Sequence, residues 1–326
     1  MNTVNPFKID TDTLLFFDIF HKNNKVYLIQ PVYSSTPLDL SSLKIKYKDK
    51  ELIIETKLSK ISREPIQILI YIFESTNSNN TITVTYNSVS KDYNLPHIQS
   101  STNSTLSITT LFKDDYKLID IFYEYYKKQG VENFYMYYNG VLTSDIRAKF
   151  NLPGIILIEW NYKYWNDDHC TFKHHAQLGQ IHHALYRYGK DLNLYMIFCD
   201  LDEYMYIPNS TLSRIISNSP LIDMFGFCNR WANTLDNKIP DKFPITFNIT
   251  NQYRFPNHSK SIYKVSSVSL IDIHGWYLFN SKRINKSLDY ILFHFYNWTR
   301  VNRVILEPCD INIQPIFDLQ ENPSIL

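Results

Sequence analysis

Glycine, cysteine and long apolar runs are scarce in this sequence, and each shortage excludes a class of protein. Only 7 of the 326 residues are glycine, and neither common glycine-rich phosphate loop occurs, which argues against P-loop and dinucleotide-binding proteins. The four cysteines have no short paired spacing, so we expect reduced thiols rather than a disulfide framework or a zinc knuckle. They are Cys170, Cys199, Cys228 and Cys309.

The chain also has no excess of charge and no membrane-spanning run. Its 33 basic and 32 acidic residues leave a formal net charge of +1, which does not favour binding to nucleic acid or to an anionic membrane. No segment reaches the roughly 20 apolar residues that cross a bilayer. The early stretch "TLLFFDIF" is short and is interrupted by Asp18. We therefore expect a cytoplasmic protein without a signal peptide or a transmembrane anchor.

The first hundred residues are typical of β-structure. Short β-branched and aromatic runs such as "KVYLIQPVY", "IQILIYIFES" and "TITVTYNSVS" are separated by turn-rich breaks such as "STNSNN". They predict a small β-sandwich-like module over residues 1–104. The polar stretch "PHIQSSTNST", which ends near Thr105, is the predicted linker. We expect this module to be separable from the rest.

The pattern changes after the linker to alternating strands and helices. "LSITTLF", "NFYMYY" and "GIILIEW" are predicted strands, and "DDYKLIDIFYEYYKKQG" is a predicted helix that ends at Gly130. A second helix, around 176–188, leads into the strand that ends at Asp200. This alternation predicts an α/β domain over 105–326, with a mostly parallel sheet and helices on both faces. Ligands of such sheets bind at the carboxyl ends of the strands.

Three acidic residues crowd the end of the strand "YMIFC": Asp200, Asp202 and Glu203. Like charges this close resist burial unless something positive compensates them. Asp200 and Asp202 point to one side of an extended chain, which suits a hard divalent cation that also binds phosphate oxygens. The D-x-D is therefore a candidate metal–diphosphate site, and a solvated acidic turn is the alternative.

Four segments, in order, resemble the nucleotide-sugar glycosyltransferases of the GT-A fold, and most closely glycosyltransferase family 92 and the family-2-like group. They are "TTLFKDDYKLIDIFYEYYKKQGVENFYMYYNG", "HAQLGQIHHALYRYGKDLNLYMIFCDLDEYMYIP", "SKSIYKVSSVSLIDIHG" and "FHFYNWTRVNRV". The resemblance covers residues 105–307 and leaves the β-module outside. The family's Asn and Glu in the first turn are replaced here by Asp114 and Asp115.

The resemblance implies a Rossmann-like GT-A domain that transfers a sugar from a nucleotide sugar, with UDP as the expected nucleotide, to a glycan or other hydroxyl acceptor. Asp200 and Asp202 would hold Mn²⁺ or Mg²⁺, and His274 is the candidate third ligand or phosphate contact. Other positions expected to contact the donor are Thr110, Phe112, Asp114, Asp115, Gln177, Lys260 and His294. A buried structural histidine is the alternative for His274 and for His294, and a solvated surface lysine is the alternative for Lys260. Glu203 would either bind the metal through water or cap the next segment.

Members of this group generally invert configuration, which requires a carboxylate base for the acceptor hydroxyl. Asp236 is the candidate base, and the neighbouring Trp231 could stack on a sugar face. The alternative for both is an ordinary loop aspartate and a core tryptophan. Asp223, Asp241 and Asp272 stay open as bases.

The sequence also admits three other hypotheses. A zinc site in "DDHCTFKHHAQLGQIHHALYRYG" is disfavoured, because His175 and His182 would lie about 10 Å apart along a helix, although Cys170 and His174 keep it open. A metal-dependent phosphoryl-transfer enzyme or nuclease could use the same carboxylates, but the chain lacks a basic, aromatic-interleaved stripe. A carbohydrate-binding protein with a degenerate transferase domain is the remaining alternative.

Overall fold

The structure is a computed structural model of the whole chain. It describes residues 4–33, 39–47, 50–52, 54–61, 66–74, 81–95, 104–166, 171–234, 238–241, 245–249, 259–273, 283–295, 298 and 314–315.

The N-terminal part consists of short antiparallel strands. They are β1 (Phe7–Lys8), β2 (Leu14–Phe16), β3 (Asp18–Lys22), β4 (Lys25–Tyr33), β5 (Leu43–Tyr47), β6 (Lys50–Glu51), β7 (Ile54–Ile61), β8 (Ile66–Glu74), β9 (Thr81–Tyr86) and β10 (Val89–Asn94). β1 pairs with β2, and two four-stranded sheets follow, with strand orders β3-β4-β8-β7 and β10-β9-β5-β6.

The sheet that contains β3 and β4 is buried on both faces. Side chains alternate across a strand, so neighbouring residues point to opposite faces. Ile19, Leu28 and Phe73 pack in one core together with residues of the β9–β5 sheet. Phe20 and Ile29 pack in a second core, together with residues of the C-terminal part. This sheet is therefore a middle layer of the molecule.

The C-terminal part combines helices with a long sheet. Its strands are β11 (Ser104–Phe112), β12 (Asn133–Tyr138), β13 (Ile155–Glu159), β14 (Asn193–Phe198), β15 (Glu203–Tyr206), β16 (Met224–Thr234), β17 (Thr246–Ile249), β18 (Lys260–Lys264), β19 (Ile284–His294) and β20 (Gln314–Pro315). Its helices are α1 (Ile119–Lys128), α2 (Ser144–Lys149), α3 (Ala176–His183) and α4 (Leu212–Asn218), with a π-helical continuation of α3 over Ala184–Gly189.

The long sheet is parallel in its first half and mixed in its second. The order begins β13-β12-β11-β14, all parallel, and continues through β18 and β16, with β18 antiparallel to both neighbours. The prediction of a mostly parallel sheet therefore holds for the first four strands in this order. The chain runs outward from β11 to β13 and returns on the other side at β14, so β11 and β14 flank a switch point where α/β sheets bind ligands.

Helices cover both faces of the sheet, as the sequence predicts. Ile108 and Ile197 point into the core that contains α1, α2 and α4, whereas Met196 and Phe198 point into the core that contains α3 and the β3–β4 sheet. β11 begins at Ser104, inside the stretch assigned to the linker. No helix among the described residues is long and apolar enough to cross a membrane.

A buried ionic network joins the N-terminal part to α3. The carboxylate of Asp18, fully buried in β3, accepts hydrogen bonds from Nε2 of His183 at 2.6 Å and Nη1 of Arg187 at 2.7 Å. Burial alone would raise the pKa of Asp18, but the Arg187 guanidinium and His183 hold it below its usual value. The residue that interrupts the first apolar run is therefore a paired, buried anion.

Asp18→Ala should lower the free energy of unfolding by about 3–5 kcal/mol, because it leaves the Arg187 guanidinium buried without its carboxylate. Urea denaturation followed by circular dichroism measures the change. The matched control is Asp191→Asn, which neutralises a 56%-exposed carboxylate 3.7 Å from Lys22 Nζ at a position whose φ of 70° suits asparagine, and should cost at most about 1 kcal/mol. Equal losses for the two variants would contradict the assigned role of Asp18.

Candidate functional site

The acidic residues after β14 lie at the carboxyl end of the parallel half of the sheet, as predicted. The turn is closed by Glu203, whose Oε2 accepts a hydrogen bond from the Asp200 amide at 2.8 Å, while the Glu203 amide donates to the Asp200 carbonyl at 3.1 Å. The carbonyl of Asp202 accepts from the Phe295 amide at 2.8 Å. The acids are thus held by backbone on both sides of the turn.

Lys260 supplies one of the positive charges that the acids require. In the register of β14 and β18, Phe198 faces Ser261, so Lys260 lies beside the residue that precedes Asp200. Its Nζ is 3.3 Å from Asp200 Oδ2 and 3.6 Å from Glu203 Oε2, and its side chain is only 4% exposed. Burial alone would lower the pKa of Lys260, but Asp200 and Glu203 raise it above its usual value. Lys260 is therefore a fixed cation.

His294 lies on the other side of the acids. It faces Glu203 across β15 and β19 and Trp231 across β19 and β16. Its Nε2 is 3.4 Å from Asp202 Oδ2, its Nδ1 is 3.7 Å from Glu203 Oε1, and its ring stacks on the Trp231 ring at 4.6 Å. Burial opposes the charged form, but Asp202 and Glu203 raise the pKa of His294. The imidazolium is thus favoured at this position.

Glu203 is the point where both cations meet. Its side chain is 1% exposed, and its carboxylate lies within 4 Å of both Lys260 and His294. Burial raises the pKa of Glu203 to about 7, against the lowering effect of Lys260. Of the two roles left open for Glu203, the hydrogen bond to the Asp200 amide is that of a cap on the turn.

Asp115, which follows β11 on the other side of the switch point from β14, adds a further carboxylate to the site. Burial raises the pKa of Asp115 to about 6, and the charges of Asp202 and Asp200 add to this effect. Among the described residues, the four acidic side chains of the site (Asp115, Asp200, Asp202, Glu203) therefore outnumber its two cations (Lys260, His294).

A divalent cation fits this charge excess, although a complete protein cage is missing. In the part of the chain that the structure describes, no three His, Cys, Asp or Glu side chains converge closely enough to hold a metal ion. Mg²⁺ is commonly bound through one or two carboxylates, waters and substrate phosphates. Asp200, 33% exposed, and Asp202, 8% exposed, fit that pattern.

Gln177 reaches the site from the start of α3. Its Nε2 donates to Asp200 Oδ1 at 3.2 Å, and its Oε1 accepts from the Tyr164 hydroxyl at 2.6 Å. α3 begins there because Nδ1 of His175 accepts from the Gln177 amide at 3.2 Å and caps the helix. Sequence analysis found Gln177 but missed Tyr164, for which the aromatic-rich "WNYKYW" after a strand was the available signal.

The other predicted donor residues lie at the end of β11. Thr110 is 2% exposed, and the Phe112 ring is 3% exposed, stacked on Phe150 at 4.7 Å. Because this ring is buried, we expect Phe112 to contact a nucleoside through its backbone rather than its side chain. Asp114 is exposed beside Asp115. The predicted metal ligand His274 and the predicted base Asp236 lie outside the described residues.

The alternative bases differ in their positions. Asp223 precedes β16 and so lies at the amino end of that strand. Its carboxylate accepts a hydrogen bond from Ser267 Oγ at 2.6 Å and pairs with Arg283 Nε at 3.3 Å. Asp241 is exposed, and Asp272 accepts from the Ile273 amide at 2.8 Å. Asp223 is thus part of a structural ion pair, remote from the acids after β14.

Residues 103–314 match glycosyltransferase family 92. No curated protein matches the chain. Sixteen chains of solved structures match. One is a CMP:2-keto-3-deoxy-manno-octonic acid synthetase complexed with CTP (11% identity, 50% of this chain and 75% of that chain, TM-score 0.27). Another is the mannosyltransferase Ktr4p from S. cerevisiae (8% identity, 39% of each chain, TM-score 0.24).

Lys260→Met should lower the free energy of unfolding by about 3 kcal/mol at pH 7, because it removes one of the two cations that pair with the buried Glu203. Lys264→Met, on the same strand but with an ammonium group at the surface that donates to the Pro220 carbonyl, is the matched control and should change it by less than about 1 kcal/mol. Chemical denaturation of both variants measures the difference. A loss no larger than that of the control would contradict the ion-pair assignment.

His175→Asn should flatten the dependence of stability on pH. Burial lowers the pKa of His175 to about 4, so its contribution is complete above the unfolded pKa of about 6.5 and is lost as pH falls toward 4. Asparagine keeps the capping acceptor and does not titrate. Between pH 7 and 4 the wild type should lose about 3 kcal/mol more than the variant in unfolding titrations. Parallel curves would contradict the assigned pKa.

The match over residues 103–314 covers most of the chain and includes every residue of the site just described, and the chain therefore belongs to glycosyltransferase family 92.

Proposed function

We propose that the protein transfers a sugar from a nucleoside-diphosphate sugar, with UDP as the expected nucleotide, to the hydroxyl group of a glycan or related acceptor. The observation that carries the proposal is the position of Asp200 and Asp202 at the carboxyl end of β14, beside the switch point, in a family-92 chain. Together with Glu203 and Asp115 these carboxylates outnumber Lys260 and His294, so a diphosphate would be bound through a bridging cation rather than directly.

We propose Asp200 and Asp202 as the protein ligands of a Mn²⁺ or Mg²⁺ ion, with His274 as a candidate third ligand or phosphate contact. When bound, the ion would stabilise the negative charge of the departing nucleoside diphosphate. Gln177 fixes one oxygen of Asp200 by its 3.2 Å hydrogen bond and leaves the carboxylate one-third exposed. Glu203 fixes the backbone of the same residue from the buried side.

Lys260 and His294 have a second role in this proposal. Both are cations next to the site whose charged forms the surrounding carboxylates favour. Because they pair with the acids, these two cations offset part of the repulsion between the carboxylates and an approaching diphosphate. We propose Thr110, Phe112, Asp114 and Asp115 for the nucleoside side, at the end of β11.

The acceptor side is proposed from the family. Inversion requires a carboxylate base for the acceptor hydroxyl, and Asp236 is the candidate, two residues past the end of β16. Trp231, on the same strand, stacks on His294 and so belongs to the wall of the site. We also propose a domain boundary near residue 104, which is supported by the start of the family match at residue 103.

Asp202→Ala should weaken UDP binding in the presence of Mn²⁺ at least tenfold, because the variant loses a carboxylate that would hold the ion. Isothermal titration with UDP, with and without Mn²⁺, measures this in both proteins. Asp145→Ala, an exposed aspartate in the first turn of α2, is the control and should bind as the wild type does.

Wild-type affinity in Asp202→Ala would contradict the metal–diphosphate assignment. Binding of a glycan without any effect of UDP or Mn²⁺ would instead favour the carbohydrate-binding alternative. Hydrolysis of a phosphate ester without sugar transfer would favour the phosphoryl-transfer alternative.

A further inference from the structure

The family match begins at residue 103 and gives the N-terminal β-strands no role, yet they contact one helix of the site along its whole length. That helix is α3, with its π-helical continuation over Ala184–Gly189, and it carries Gln177. Every residue from Ala176 to Gly189 is buried. The helix therefore lies between two layers, with the β3–β4 sheet on one side and the long sheet on the other.

The N-terminal strands hold the helix at its start. His174, which precedes the cap, is 1% exposed, and its Nδ1 lies 2.7 Å from the Pro31 carbonyl while its Nε2 contacts the Leu14 carbonyl. The hydroxyl of Tyr162 donates to the Phe17 carbonyl at 2.6 Å. The segment that leads into α3 is thus fixed to the backbone of β2 and β4.

The middle of the helix meets an aromatic ring at close range. Phe17 stacks on Trp160 at 5.4 Å and meets the edge of Tyr162 at 4.8 Å, so the ring has little freedom to move. A methyl group at Gly179 would lie 2.8 Å from two atoms of this ring, closer than real contacts allow. Glycine at this position lets the helix approach the N-terminal part.

The end of the helix is held by charge. Asp18 binds His183 and Arg187, and the other ring nitrogen of His183 lies 2.7 Å from the Tyr137 hydroxyl on β12. Lys22, 1% exposed, donates to the carbonyls of Tyr186 and Lys190 at the end of the π-helical segment. A cation at a helix C-terminus is stabilising, and here the N-terminal part provides it.

The opposite side of the helix makes the contacts that matter for the site. Gln180 Nε2 donates to Thr109 Oγ1 on β11 at 2.7 Å, and Gln177 Nε2 donates to Asp200 Oδ1 at 3.2 Å. A small shift of the helix would break the second contact, since it is already at the long end of the hydrogen-bond range.

We propose that the N-terminal β-strands are a positioning element of the active site, which fixes α3 so that Gln177 orients the carboxylate of Asp200. Asp18, Phe17 and Lys22 are positioning residues that act through the helix and do not touch substrate. The proposal rests on the proposed nucleotide–metal site for its effect on binding. Its structural part, the support of the turn after β14, stands on the contacts themselves.

Gly179→Ala tests the proposal, because its added methyl group must displace either Phe17 or the helix. We expect the Kd for UDP in the presence of Mn²⁺ to rise about tenfold to a hundredfold, as for loss of a hydrogen bond to a charged group. Hydrogen exchange of the segment 199–206 should become faster, and this readout requires no ligand. The double variant Gly179→Ala/Phe17→Leu removes the clash and should restore both quantities toward those of Phe17→Leu alone.

Two controls separate positioning from general stability. Gly189→Ala places a methyl group on the same helical stretch at ordinary contact distance, 3.4 Å from Met196 Cε, and should change neither readout. Val84→Ala removes buried volume from the core between the two N-terminal sheets, away from α3, and should lower the melting temperature without changing either readout. If Gly179→Ala does not fold, Phe17→Leu takes its place, with the same effects expected at smaller size.

Unchanged exchange of 199–206 in Gly179→Ala would overturn the proposal, as would an effect of Val84→Ala equal to that of Gly179→Ala at the same loss of melting temperature. If the wild type itself does not bind UDP with Mn²⁺, the proposed function fails, and the exchange measurement still decides the positioning role.

Discussion

The compensation of buried negative charge at the end of β14 is the constraint on which the rest of the site depends. Glu203 is 1% exposed, and an isolated carboxylate there would be strongly destabilising. The ladder between β14 and β18 brings Lys260 to it, and the ladder between β15 and β19 brings His294. Both cations come from strands far along the chain, so the turn requires the second, mixed half of the sheet to be in place.

The extent to which protein cations compensate each carboxylate depends on how deeply that carboxylate is buried. Glu203, deep in the site, has two cations within 4 Å, whereas Asp200, at the rim, shares Lys260 and keeps a third of its side chain exposed. A buried charge that loses its partner is strongly destabilising, so the fold itself must pair it. A charge at the rim can be paired by a ligand, and in the proposed function one acidic turn serves both stability and ligand binding.

The sequence alone predicted the parts of this arrangement that local patterns encode. The strand before Asp200, the helix around 176–188 and Lys260, His294 and Gln177 as residues of the site were all available from periodicity and from the family resemblance. The partner of each residue was not, because the register between strands is a long-range property. Asp18 shows the same limit: its neighbours predicted only an interrupted apolar run, and its role depends on His183 and Arg187, more than 160 residues away.

One helix, α3, connects the buried ionic cluster around Asp18 with the acidic cluster around Asp200. Asp18 pairs with the end of α3 and Asp200 is contacted from its start, so the helix spans the distance between a charge in the N-terminal sheet and a charge in the site. Cores that are packed on both sides transmit displacement rather than absorb it. The sheet that contains β3 and β4 is buried on both faces, so a change in its packing has no solvent-exposed side into which it can relax. The geometry of Asp200 is in this sense set by residues that precede the family domain.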